Sequence, residues 1–138
     1  MITKLTVVGL MVHDQEEALR FYTEKLGFEK RTDQSFGPGW RWVTIAPKGQ
    51  TEVEITLMKP DPTMVGEEKA KALTDQVGMA PTWSYTVDDC RKTYEELLAK
   101  GVKFQSPPRE EFYGVEAVCE DLYGNAISLV EPSPAMRG

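Results

Sequence analysis

Two carboxylates, a set of hydroxyls and a close pair of tryptophans are the side chains of this 138-residue chain whose types and spacing could do chemistry. Glu54 shares a strand face with Thr56 in an alternating stretch, and Glu116 corresponds to Thr44 in an internal repeat, so both carboxylates are expected to face inward. A carboxyl group desolvated there has its pKa raised and can act as a general acid or base, or hold a cationic ligand group. Paired or wet at a cavity mouth, it does neither. Thr44, Thr56, Thr82, Ser84 and Ser128 offer hydroxyls of the kind that orient a ligand. None reads as an activated nucleophile, because the single histidine, His13, abuts a helix start and is expected in a solvent-exposed loop. Trp40 and Trp42 fall on one face of their strand with Thr44. Each indole presents roughly 200 Å² of apolar surface, which is costly to leave in water and calls for a ligand or a partner subunit.

The elements that must position these groups come in two similar runs. Leu5 to Val12 is short, apolar and rich in β-branched residues, which predicts a strand. Asp14 with Glu17 forms a helix start, Ala18, Leu19, Phe21, Tyr22 and Leu26 follow at helical spacing, and Gly27 ends the helix. Strands are expected at Phe28 to Arg31, Trp40 to Ala46 and Glu52 to Met58. The order recurs after Pro81: a strand at Thr82 to Val87, a helix from Arg91 to Lys100 capped by Asp89, then strands at Val102 to Gln105, Gly114 to Glu120 and Asn125 to Glu131. Val12-His13-Asp14 matches Val87-Asp88-Asp89, and Ile55 to Pro60 matches Ile127 to Pro132. A repeat of about 75 residues is longer than solenoid repeats, which makes a duplicated pair the better reading. Modules at 1–60 and 81–132 are joined by a segment, 61–80, expected to be helical and mainly solvated. The fold class is α+β.

In both runs one strand face is bulky and apolar, as in Val8, Leu10, Ile55, Leu57, Trp83, Tyr85, Ile127 and Leu129, and the other is small or polar. The bulky face packs on helices, and the second face is left solvated or lines a cavity. No apolar run approaches the roughly 18 residues that cross a bilayer. Net charge of -6 argues against nucleic acid, which needs a basic stripe. Cys90 and Cys119 are too few for a disulfide framework or a zinc cluster, and no export signal opens the chain, so a cytoplasmic location is expected.

Val8 to Asp14 leading into Ala18 to Tyr22 and Leu26-Gly27-Phe28, together with Val87-Asp88-Asp89 and Asp121 to Pro132, resembles the vicinal oxygen chelate superfamily of glyoxalases, bleomycin resistance proteins and extradiol dioxygenases. The resemblance implies paired βαβββ modules whose strands form a curved, partly open mixed sheet around a cavity. It implies a homodimer as well. Metal-dependent members carry a His on the first strand of each module and a Glu on the last strand of one or both. Here Val7 and Thr82 stand at the first-strand positions and Thr56 and Ser128 at the last-strand ones, and none is a usual ligand for a divalent ion. No metal or other cofactor is expected; a shifted set of Glu54, Glu116 and His13 is the disfavoured alternative. The expectation is therefore a protein binding a small, partly aromatic molecule without a metal, at Trp40, Trp42, Thr44, Thr56, Thr82, Ser84, Glu116 and Ser128. The alternative is a lyase, isomerase or dioxygenase-type enzyme using a shifted metal or Glu54 or Glu116 as base.

Overall fold

The computed structural model describes residues 1–136. The chain divides into two compact units, Met1–Ala80 and a second beginning at Pro81. The first contains β1 (Val7–Met11), α1 (Gln15–Arg20), β2 (Glu29–Ser35), β3 (Arg41–Ala46), β4 (Glu54–Met58), α2 (Pro62–Val65) and α3 (Glu67–Thr74). The second contains β5 (Trp83–Thr86), α4 (Cys90–Ala99), β6 (Phe104–Glu111), β7 (Gly114–Glu120) and β8 (Ala126–Pro132). Each unit thus carries the βαβββ order, and the α+β class holds in both.

The two sheets share one topology. Their orders are β1-β4-β3-β2 and β5-β8-β7-β6, each open at both edges. In each, the first strand pairs in parallel with the last, and the remaining pairs are antiparallel. A parallel pair cannot be joined by a tight turn, so the helix and two further strands make the long return.

Local chemistry places the helices where the spacing indicates. Asp14 accepts the Glu17 amide at 2.9 Å and Asp89 the Lys92 amide at 3.0 Å, satisfying N–H groups that the first helical turn leaves without partners. Past Arg20 the helix widens into one π turn, Phe21–Lys25, and stops at Gly27, whose φ of 77° is easy only for glycine.

The bulky strand faces form the cores. Val8, Leu10, Val43, Ile45, Ile55 and Leu57 share one face by register, and Arg41 on that face pairs with Glu16 of α1, which fixes the side the helix covers. In the second unit Tyr94 of α4 meets the Phe104 ring edge-on at 4.7 Å, on the face that carries Cys119, Ala117, Ile127 and Leu129. Cys90 and Cys119 are both buried and free.

Several boundaries differ from the expected ones. β2 runs to Ser35 and β6 to Glu111, beyond the expected ends at Arg31 and Gln105. Pro107 and Pro108 argue against a strand there, but β6 is an edge strand with register shifts around the prolines. A missing N–H on an edge removes no obligatory ladder bond. The expected helical segment 61–80 holds two helices, α2 and α3, separated by Gly66, and α3 buries only Ala70. Among the described residues no helix is long and apolar enough to cross a membrane.

Candidate functional site

The β3–β4 ladder opens at one end, and a cleft forms there. Residue pairs are in register only at Thr44 with Thr56 and at Ile45 with Ile55. Beyond them the strands are bridged by a side chain: Gln15, the first residue of α1, donates from Nε2 to the Arg41 and Leu57 carbonyls, each at 2.8 Å. Pro60 and Pro62, just past the end of β4, line the opening as well. The cleft holds about 320 Å³ and is lined by Gln15, Trp40, Trp42, Thr56, Met58 and Asp61, among others.

Both tryptophans of the sequence-derived site stand on this cleft. Trp42 lies on β3, whereas Trp40 lies just before the strand, 40% exposed, with its ring 5.2 Å from that of Phe36. Thr56 completes the set. Its hydroxyl donates to the Val43 carbonyl at 3.3 Å, which leaves the oxygen as an acceptor only.

Arg41 fixes the wall that carries these residues. Its guanidinium takes both oxygens of Asp33 on β2, at 2.8 and 2.7 Å, and reaches Glu16 on α1 at 3.1 Å. The Arg41 hydrogen bonds hold the Asp33 carboxyl down at about 2, from an ordinary 3.8. A depressed carboxylate pKa contributes stability that is fully present above the unfolded value and lost as pH falls through the folded one. Asp33→Asn is therefore expected to melt below wild type above pH 4, with the gap closing as pH falls toward 2. Thermal melts of the two proteins across that range check it, and a gap independent of pH would refute the pairing.

Each carboxylate has hydroxyl partners within its own unit. Thr44 donates to Glu54 at 2.6 Å and accepts the Thr32 amide at 3.1 Å. Glu116 on β7 shares a face with Ser128 on β8 and accepts from the hydroxyls of Ser128 and Tyr113. These two bonds, Ser128 first, lower the Glu116 pKa against the opposing effect of burial, and Arg109 adds to them. The raised pKa that a general base would need at Glu116 is absent, because hydroxyl donors stabilise the charged form. Thr44, Thr56 and Ser128 are buried, while Ser84 is exposed on β5 and Thr82 is exposed just before it.

The four positions that the family resemblance marks for metal ligands supply no imidazole or carboxylate. Val7 and Thr56 share a face of the first sheet, Ser128 takes the matching face of the second, and Thr82 precedes β5. His13 is exposed on the bend before α1. Among the described residues no group of three or more His, Cys, Asp or Glu side chains that could hold a metal is found. The donors present do not fit a divalent ion.

Sequence reasoning missed Gln15, Arg41 and Tyr113. Gln15 and Arg41 look like solvated residues at a helix start and a strand start, and Tyr113 lies in a turn. Nothing in the local pattern marks Gln15 or Arg41, whose partners lie 26 and 8 residues away across the strands, whereas the partner of Tyr113 is only 3 residues on.

Comparison with known proteins agrees with this architecture. Uncharacterized protein YurT of Bacillus subtilis (strain 168) is 36% identical over 129 residues, spanning 93% of this chain and 98% of its own. The crystal structure of UcmS2 is similar with a TM-score of 0.83 at 39% identity, covering 95% of this chain and 99% of that one. TnmS3, an antibiotic binding protein from Streptomyces sp. CB03234, is similar with a TM-score of 0.76 at 30% identity, covering 96% and 98%. The model of one family matches residues 4–129, nearly the whole of both βαβββ units, and the chain belongs to that family, the Glyoxalase/Bleomycin resistance protein/Dioxygenase superfamily.

Proposed function

We propose that this protein binds a small, partly aromatic molecule, without a metal, against the indoles of Trp40 and Trp42. The observation that carries the reading is the cleft of about 320 Å³ at the open end of β3 and β4, where both tryptophans and Thr56 meet. Indole rings offer large apolar area at low entropic cost, which suits a flat ligand. The similarity to TnmS3, an antibiotic binding protein, supports the same reading. The absence of fitting ligands at Val7, Thr56, Thr82 and Ser128 supports binding without a metal. A homodimer is part of the proposal, and size-exclusion chromatography at micromolar concentration checks it.

Tryptophan fluorescence titrated against a panel of aromatic antibiotics and simpler ring compounds tests the site. Saturable quenching is expected for at least one class, with Trp42→Ala weakening it about 30-fold or more, the usual loss for a central aromatic anchor. Dialysis against a chelator is expected to leave the affinity unchanged. Equal affinity in wild type and Trp42→Ala would sink the cleft as the site, and a stoichiometric metal on elemental analysis would sink the metal-free reading.

A further inference from the structure

We propose that the cleft selects aromatic molecules bearing a hydroxyl or N–H donor, and that Gln15 is the residue that reads it. This rests on the cleft being the ligand site. Only one orientation of the Gln15 amide suits its surroundings. Two carbonyl oxygens, of Arg41 and Leu57, lie 2.8 Å from one end of the group, and that end must be the NH2, since an oxygen there would face two acceptors. Both N–H groups are then engaged. Oε1 remains, with no protein partner among the described residues, on a side chain that lines the cleft.

The neighbouring polar groups lean the same way. Thr56 Oγ1 has its hydrogen committed to the Val43 carbonyl and offers lone pairs only. Asp61, also in the lining, accepts the amide and hydroxyl of Thr63 on Oδ1, and its second oxygen is likewise an acceptor. Donors line the cleft too, the Lys59 ammonium, the indole N–H groups and the Arg41 guanidinium, of which the last is engaged by Asp33 and Glu16. A ring system that fills the cleft with an ether or no polar group in place of a hydroxyl would desolvate Gln15 Oε1 and leave it unpaired. A site built to hydrogen-bond a substrate O–H rejects the analogue that lacks it for this reason.

The test compares 2-naphthol with 2-methoxynaphthalene, the same ring with and without the donor, by isothermal titration calorimetry on the full chain at pH 7. Wild type is expected to bind the naphthol about 10-fold or more tightly. Gln15→Met is expected to bring the two within about 2-fold of each other, chiefly by weakening the naphthol. Because Gln15 also ties β3 to β4, Thr56→Val serves as a second variant that keeps this tie and the side-chain shape, and it is expected to reduce the preference partially. Equal binding of both compounds by wild type overturns donor selection while leaving the cleft as the site. Binding of neither overturns both. A preference that survives intact in Gln15→Met overturns Gln15 as the reader.

Discussion

Gly114→Ala is expected to lose about 3–5 kcal/mol of stability, enough to bring a domain of ordinary stability close to unfolding. Gly114 opens β7 at a φ of 143°, and a Cβ added there would lie 2.1 Å from the Glu131 carbonyl oxygen, 2.9 Å from the Ser133 nitrogen and 3.0 Å from the Glu131 carbonyl carbon. All three are backbone atoms of the strand end to which β7 is paired, so no side chain can swing aside. Relief requires breaking the register of Gly114 with Pro132 and Val115 with Glu131. That hairpin end also carries Tyr113, whose carbonyl accepts the Ser133 amide and whose hydroxyl donates to Glu116. Gly49→Ala is the control: its φ of 86° is strained for alanine, but nothing lies within 4 Å of the added carbon, so about 1 kcal/mol is expected. Urea denaturation of both variants separates conformational strain from collision. A Gly114→Ala protein no less stable than Gly49→Ala would refute the close approach.

Asp121→Ala is expected to lose about 3 kcal/mol, from three hydrogen bonds to a buried carboxylate. Oδ1 accepts the amides of Tyr123 and Asn125, each at 2.9 Å, and Oδ2 accepts Asn125 Nδ2 at 2.8 Å. Asp121 and Asn125 are 5% and 4% exposed, so water is poorly placed to replace the lost acceptor. Asp121→Asn keeps one oxygen but sets an NH2 group against Asn125, and a loss of about half as much is expected. Urea melts rank the three proteins. The order wild type, Asn, Ala is the expected one, and an Ala variant as stable as wild type would show that the turn forms without its carboxylate.

Much of this architecture is legible in the linear pattern because its causes are local. Asp14 and Asp89 cap helices three residues ahead of the amides they bind, Gly27 stops a helix by its own backbone freedom, and β-branched alternation assigns each strand two unlike faces. The duplication is legible for the same reason, since the second run repeats those short-range signals. At β6 the strand runs through Pro107 and Pro108, past the expected end at Gln105. Their effect depends on whether a neighbour needs the missing N–H, which is a property of the sheet edge and not of the segment.

For the site the division is sharper. Sequence by itself determined that Trp40 and Trp42 share a side and that Glu54, Thr56, Glu116 and Ser128 lie on the polar strand faces, for which a periodicity of two is enough. That Val7, Thr56, Thr82 and Ser128 stand at metal-ligand positions is implied by the family resemblance and not by the periodicity. Only the tertiary structure decided which of these groups meet and in what state. It gathers Trp40, Trp42 and Thr56 at one cleft with Gln15, and gives Glu54 and Glu116 hydroxyl partners. The physical reason is that hydrogen-bond direction and partner choice depend on strand register. The place where β3 and β4 part is set by residues distant along the chain, acting together.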